Sequence, residues 1–591
     1  MSLSATVSEK ANLIWAIADK LTGAFKPHQY GEVILPLTVI RRFDSVLAPT
    51  REAVIACAKK YPDASIREAM LKRAAGHDFY NVSPFTFERL LDAPNDLEDN
   101  FRAWLNDFSA NVRQILEKFK MFHQHISTMA EKKVLYMVLK EFTTAKADLH
   151  PDRVSNLEMG YIFEELIRRF SEAHNEDAGQ HYTPREVIEL MVNLLFTHDA
   201  EALTGAKVIK TIYDPACGTG GMLSVADDHI HKLNNNAELL LFGQELNDET
   251  FAICTADMLI KGNQAEYIKD GNTLSDDAFA GQTFDYILSN PPFGREWKNE
   301  KAAVEREARN AEGRFGPGLP SISDSQMLFL LTAVAKLKPN GRAAIIQNGS
   351  PLFTGDAGSG PSEIRRFILE NDLLEAIVAL PNDIFYNTGI ATYIWILCRD
   401  KPAHRKGKVQ LINANGMFEK RRKSLGNKRN DIPQSAIEQI TRLYGEFVES
   451  PISKIFATKD FGYTKITVER PFVTAEGTAP EAPTPEETPA PKKRGRKPGK
   501  RTTLKADPSR RDTENVPLTE DISTYFRREV LPYAPDAWID VSKNKVGYEI
   551  PFTRYFYEYT PPRPAAELAA EIRELELAIS GELAQLFADE A

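Results

Sequence analysis

The stretch Tyr213-Asp214-Pro215-Ala216-Cys217-Gly218-Thr219-Gly220-Gly221-Met222 restricts this chain more than any other, because its glycines fall between a β-rich run and a helix-compatible one. Residues 208–213 read as a strand and 222–226 as the start of a helix. Strand, glycine turn and helix in that order belong to the carboxyl edge of a parallel sheet, where open α/β folds bind ligands. Gly218, Gly220 and Gly221 lack Cβ atoms, so the backbone can turn sharply and an extended ligand can lie against it. The next strand, 240–245, ends in Glu245, and an acid at that place in a dinucleotide fold receives ribose hydroxyls.

A further strand, 284–288, runs into Ser289-Asn290-Pro291-Pro292-Phe293-Gly294. With strands over 211–213, 267–270, 343–347, 375–380 and 393–398, and helices over 250–261, 325–337 and 362–371, the alternation predicts a doubly wound sheet. Ahead of it stands Gln180-His181-Tyr182-Thr183-Pro184-Arg185, where Thr183 can cap a helix over 184–195 with Pro184 in its first turn.

In this order, Asp-Pro-Ala-Cys-Gly-Thr-Gly-Gly and Asn-Pro-Pro-Phe resemble the motifs of S-adenosylmethionine-dependent amino methyltransferases of DNA. With the 180–185 segment in front, the chain is similar to the modification subunits of type I restriction-modification systems from its first helices to its carboxyl terminus. The resemblance implies an α/β fold: a Rossmann-like methyltransferase sheet, its last strand inserted antiparallel, with a helical amino-terminal domain and a helical carboxyl-terminal tail. It implies methyl transfer to the exocyclic N6 amine of adenine. The partners it implies are double-stranded DNA, a specificity subunit that selects the sequence, a second copy of this chain and a restriction subunit with nuclease and translocase activity. S-adenosylmethionine would be held by Gln180, His181, Tyr182, Thr183, Pro184, Arg185, Asp214, Gly218, Thr219, Gly220, Gly221 and Glu245, and its adenine amine by Asp270 or Asn272. Turn formation accounts for Asp270 and Asn272 equally well.

Asn290, Pro291, Pro292 and Phe293 carry the chemistry in this reading. An exocyclic amine conjugated to a purine is a poor nucleophile, since its lone pair is spread into the ring. Two acceptors, the Asn290 side-chain oxygen and the Pro291 carbonyl, would favour a pyramidal nitrogen whose lone pair meets the donor methyl, which is catalysis by differential binding. Pro292 stiffens the turn. Phe293 offers a ring on which an extruded base can stack, unless it is simply buried.

The rest of the chain divides by composition. Residues 1–150 read as mostly helical, with helices over 10–21, 32–47, 51–60 and 97–121, and carry no catalytic constellation. Residues 151–473 form the catalytic domain, opening with a short amphipathic helix near 161–167; the charged, glycine-rich stretch 295–324 suits a mobile loop over the base or an exposed connection. The cations of 401–429 are either a solvated face or a phosphate-contacting rim. Residues 474–512 read as a disordered linker, Pro/Thr/Glu-rich and then basic, in which Arg494-Gly495-Arg496-Lys497-Pro498 departs from minor-groove AT-hooks by the inserted Lys497. In 513–591, Leu568, Ile572, Leu575, Ile579, Leu583 and Leu586 line one face of a closing helix over 565–588, which docks on the catalytic domain or joins a bundle with a partner subunit.

A net charge of −10 is unusual for a protein that grips DNA unaided, and fits one whose partner supplies part of the DNA affinity. No apolar run is long enough to span a bilayer, no signal peptide opens the chain, and Cys57, Cys217, Cys254 and Cys398 are unpaired in spacing, so a cytoplasmic protein without membrane partners or metal is expected. Two other readings compete: a protein glutamine methyltransferase, whose chains are much shorter, and a catalytically retired scaffold.

Overall fold

In the computed structural model, β1 (Ile209–Asp214) lies inside a nine-stranded sheet with β2 (Glu238–Glu245), β3 (Ile268–Asp270), β4 (Phe284–Ser289), β5 (Leu337–Asn348), β6 (Leu374–Ala379), β7 (Thr392–Cys398), β8 (Lys408–Asn413) and β11 (Ser453–Ala457). The strand order is β11-β8-β6-β7-β5-β4-β1-β2-β3. The structure describes residues 3–62, 64–172, 183–199, 203–205, 207–310, 312–386, 388–472, 505–559 and 563–588. β7 runs antiparallel between β5 and β6, as the resemblance implies. β1, β2, β3, β4 and β5 are parallel, so their carboxyl ends share one edge.

Strand periodicity sorts neighbouring residues to opposite faces. Ile212 and Leu241 enter the core beneath the helices Arg185–Phe196, Gly221–Leu233 and Gln434–Glu446. Tyr213 and Phe242 instead join an aromatic cluster with Phe279 and Phe284, in which the Tyr213 and Phe284 rings stack at 4.5 Å.

The amino-terminal region is helical, beginning with Leu3–Ala18, Tyr30–Leu47 and Arg51–Lys60. The single helix expected over 97–121 is two, Leu97–Asn106 and Ala110–Glu117. Between them Asn81 bridges Phe108 and the Ser109 N–H donates to the Tyr80 carbonyl at 2.9 Å, a long-range pairing that outweighs helix continuation. The core of this region continues without a break into the helix Asp248–Lys261 beside the sheet, through Ala252, Ile253, Ala256 and Leu259.

Three expectations change. The stretch 295–324 is packed: it contains the helix Lys301–Ala308, buries Trp297 and Phe315, and anchors Arg314 by two bonds to Glu307, at 2.7 and 2.8 Å. The cations of 401–429 are not one face, because Lys401, Arg405 and Lys428 are buried in ion pairs with Asp372, Glu375 and Glu186. Lys420, Arg422, Lys423 and Arg429 remain exposed on the hairpin of β9 (Glu419–Leu425) and β10 (Lys428–Asp431). Finally, the segments flanking the expected linker share a sheet: β12 (Gly462–Glu469) pairs with β13 (Asp512–Pro517) on one side and with β14 (Trp538–Ile539) and β15 (Lys545–Tyr548) on the other. The compact unit formed with this sheet ends at Ile550, not within 474–512, because strand pairing ties residues 512–548 back to 462–469. Residues 473–504, including the basic run, lie outside the described residues. Residues 551–591 form a second unit, which contains the helix Ala565–Ala588 over the expected span.

Candidate active site

The carboxyl ends of β1, β2 and β4 and the loop after β3 open onto one cavity of about 1130 Å³. At β1 the turn is made by Gly218 (φ +53°) and Gly220 (φ +84°), left-handed backbone that favours glycine. A Cβ on Gly220 would also stand 2.8 Å from the Cys254 sulfur. Gly220 is therefore structural, set against the helix behind, whereas Gly218, Thr219 and Gly221 line the cavity. The helix Gly221–Leu233 starts directly from the turn, aiming the positive end of its dipole at the opening.

Glu245, at the end of β2, accepts from the Gly218 N–H (Oε2, 2.8 Å) and the Asn247 N–H (Oε1, 2.8 Å). These two bonds fix its position and leave a lone pair on each oxygen for a ligand's hydroxyls. Asp214, 2% exposed, accepts from the Ala216 N–H at 3.0 Å, and burial pushes its carboxyl up to about 7. At the third strand the two candidates separate. Asn272 lines the cavity, donating to Glu300 Oε1 at 2.6 Å and accepting from the Leu274 N–H at 3.0 Å. Asp270 turns outward to an ion pair with Lys118 of the amino-terminal region.

Across the cavity, Asn290 is 8% exposed and donates from Nδ2 to Thr183 Oγ1 at 2.9 Å. This bond corrects the capping expectation. The helix begins at Arg185 with Pro184 as its cap residue and no side-chain cap bond, so Thr183 stands one position too far out to cap, and its hydroxyl serves Asn290 instead. Pro184 and Arg185 do not line the cavity, and the Arg185 guanidinium stacks 5.5 Å from the Tyr161 ring centre. Gln180, His181 and Tyr182 lie outside the described residues. Pro291 is buried in the turn, Pro292 and Phe293 line the cavity, and the Phe293 ring stands edge-on to Phe385 at 6.4 Å.

Other parts of the wall carry no motif. His28, Gly31, Glu32 and Leu35 reach the cavity from the amino-terminal helices, and Glu164 and Phe170 from the helix Asn156–Glu172. No local pattern marks them, since they meet the glycine turn only through packing over more than forty residues of sequence. Trp297 and Glu300 were discoverable in principle, as aromatic and acidic residues soon after Asn290, but the composition around them argued for a loop.

The family model for N-6 DNA methylases matches residues 155–465, more than half of the chain. The chain belongs to that family. The model of the HsdM N-terminal domain matches residues 10–142 of this N-6 DNA methylase. The methylase subunit of the type I restriction enzyme MjaIX of Methanocaldococcus jannaschii is 26% identical over 74% of the chain and 77% of its own length. The methylase subunit of the HindI enzyme of Haemophilus influenzae is 31% identical over 43% of the chain and 54% of its own. Among solved structures, the type I methyltransferase subunit from Streptococcus thermophilus superposes with a TM-score of 0.61 at 22% identity, over 77% of the chain and 97% of its own; this agreement concerns the fold. This N-6 DNA methylase is thus a modification subunit of the type I class, acting on the N6 amine of adenine in DNA. Among the described residues no helix is long and apolar enough to cross a membrane, and no cluster of ligating side chains could hold a metal ion.

The methylase bears a cost at its cavity wall. Burial raises the Glu164 carboxyl from 4.5 to about 8. A raised folded-state pKa means that this group's contribution to stability is fully present below the unfolded value of 4.5 and lost as pH rises through about 8. Without ligand, Glu164→Gln is therefore expected to stabilise the fold by about 4 kcal/mol at pH 8 and to be nearly neutral at pH 4, as read by urea titration at both pH values. Equal effects at the two pH values would contradict the assignment.

Proposed function

We propose that the cavity holds S-adenosylmethionine along the ends of β1, β2 and β3 and a flipped adenine at the end of β4. The observation that carries this reading is the Asn290–Thr183 hydrogen bond, which joins the Asn-Pro-Pro-Phe turn to the segment before the helix Arg185–Phe196 across the opening from the glycine turn. With its amide nitrogen donated to Thr183, the Asn290 side chain has its oxygen as the end that can accept from an adenine amine. The residues present suit the donor. Gly218, where an added Cβ would meet nothing, admits an extended ligand close to the backbone, Glu245 keeps lone pairs for ribose hydroxyls, and Asn272 places an amide at the adenine end. The volume of about 1130 Å³ exceeds the ~300–1,000 Å³ usual for one small ligand, in keeping with two guests.

When bound, S-adenosylmethionine supplies an electrophilic sulfonium methyl. The protein's part is to make the amine nucleophilic. The Asn290 oxygen and the Pro291 carbonyl draw on the N6 hydrogens and favour a pyramidal nitrogen, while Phe293 stacks the base and recovers part of the few kcal/mol spent on extruding it. The exposed cations of the β9–β10 hairpin, Lys420, Arg422, Lys423 and Arg429, meet DNA phosphates. Sequence choice belongs to a specificity subunit, within an assembly that includes a second copy of this chain and can add a restriction subunit, acting in the cytoplasm. In this arrangement residues 1–150 close over the cofactor, and the helix Ala565–Ala588 serves subunit assembly.

The test is a methyl-incorporation assay with labelled S-adenosylmethionine, the chain and its specificity subunit, offered duplex DNA and protein acceptors. Label at adenine N6, dependent on the subunit, is expected. Label in protein alone, or in neither, would overturn the proposal.

A further inference from the structure

Several acids line the cavity, and most are already engaged. Glu245 holds the Gly218 and Asn247 N–H groups, Asp214 the Ala216 N–H, Glu300 the Asn272 amide, and Glu32 the His125 imidazole at 2.6 Å. Glu164 differs. It lies deep in the fold on the helix Asn156–Glu172 and is not sealed, and it lines the cavity. Among the described residues its carboxyl takes no hydrogen bond or ion pair, and burial alone accounts for its raised pKa. Close by, the cavity is lined by Ile167, Phe170 and Ile188, surroundings in which an aliphatic side chain would cost the fold less.

Its place is defined by the glycine turn. A Cβ on Gly221 would stand 2.7 Å from Glu164 Oε1, so the carboxyl touches the spot where the helix Gly221–Leu233 begins. That spot offers N–H groups and the positive dipole end, which attract an anion, beside a carboxyl that a bound cation would bring into its charged form. An amino-acid zwitterion matches both. Of the parts of S-adenosylmethionine, only the methionine end is one.

We propose that Glu164 binds the α-ammonium of the methionine end of S-adenosylmethionine, selecting a donor that carries a free amino group. The inference rests on the cavity reading above. An ion pair formed on binding would offset the cost of keeping this carboxyl inside the fold, a cost for which the packing shows no other return.

Titration calorimetry on the full chain tests it, using S-adenosylmethionine and its analogue with a hydroxyl in place of the α-amino group. The wild-type chain is expected to bind the analogue roughly 10- to 100-fold more weakly. Glu164→Gln should lose a similar factor for S-adenosylmethionine and no longer tell the two ligands apart. Equal binding of both ligands by the wild-type chain overturns the inference, as does a variant that keeps the wild-type preference. Because the first comparison needs no variant, a misfolded mutant cannot obscure it. If the wild-type chain binds neither ligand, the cavity reading itself falls and this inference with it; binding without discrimination leaves the cavity reading standing and removes only Glu164's role.

Discussion

Replacing Asn290 by alanine lowers the rate of adenine methylation by roughly 10²–10³-fold or more while S-adenosylmethionine binds as before. The magnitude is that of removing one preorganised polar contact to the reacting group in a site shielded from water. The Gly218 and Asn247 N–H groups hold Glu245 at the end of β2, whereas Asn290 bonds Thr183 across the cavity, so the groups proposed to take the donor's ribose keep their places after the change. Asn290→Asp separates the two tasks of the amide. An aspartate keeps an acceptor for the N6 amine and can accept a hydrogen bond from the Thr183 hydroxyl, so it should retain more activity than alanine. Donor binding followed by calorimetry beside single-turnover methylation decides the matter. A variant that loses donor affinity in step with rate would mean that Asn290 supports the cavity rather than the chemistry.

The second large effect lies under the sheet, far from any ligand. Glu375, 0% exposed on β6, faces Arg342 of β5 and Arg405, and accepts from the Tyr444 hydroxyl at 2.9 Å. Arg405 stacks between the Tyr444 and Phe447 rings, at 4.6 and 4.4 Å. Glu375→Gln leaves two guanidinium groups facing each other in a dry interior. The expected loss is about 3–5 kcal/mol of stability, the usual result of removing one partner from a buried ion pair. The same group sets an acid limit. Burial by itself raises its pKa, but Arg342 and Arg405 together hold it below the ordinary value of 4.5. Its stabilisation is therefore present above that value and disappears as pH falls through the lower folded value. Urea unfolding of wild type and variant from pH 7 down to pH 3 tests both statements. Loss of stability in the variant should be large at pH 7 and shrink towards pH 3; a constant difference would exclude the linkage.

Local physics is readable in a linear chain, and this protein shows how far that extends. Apolar runs of four or more residues mark β2, β6 and β7, because strand residues buried on both faces need apolar side chains throughout. By contrast β13, Asp-Thr-Glu-Asn-Val-Pro, is an edge strand with a mostly exposed surface; its place is set by β12, across more than forty residues of sequence, and no alternation betrays it. The buried cations of 401–429 looked like a surface for a similar reason. A lysine at the end of its own chain segment carries no mark of the carboxylate that the fold brings to it, as Glu186 is brought to Lys428.

Residue order alone determined the two turns at strand ends and the helix that closes the chain, since glycine conformations, proline-stiffened turns and helical periodicity all act within a few residues. Only tertiary packing decided that Thr183 serves Asn290 instead of capping a helix, that Asn272 and not Asp270 borders the cavity, and that Glu164 stands uncompensated beside Gly221. Each of those outcomes depends on which side chain arrives from a distant segment, and on whether water is excluded when it does.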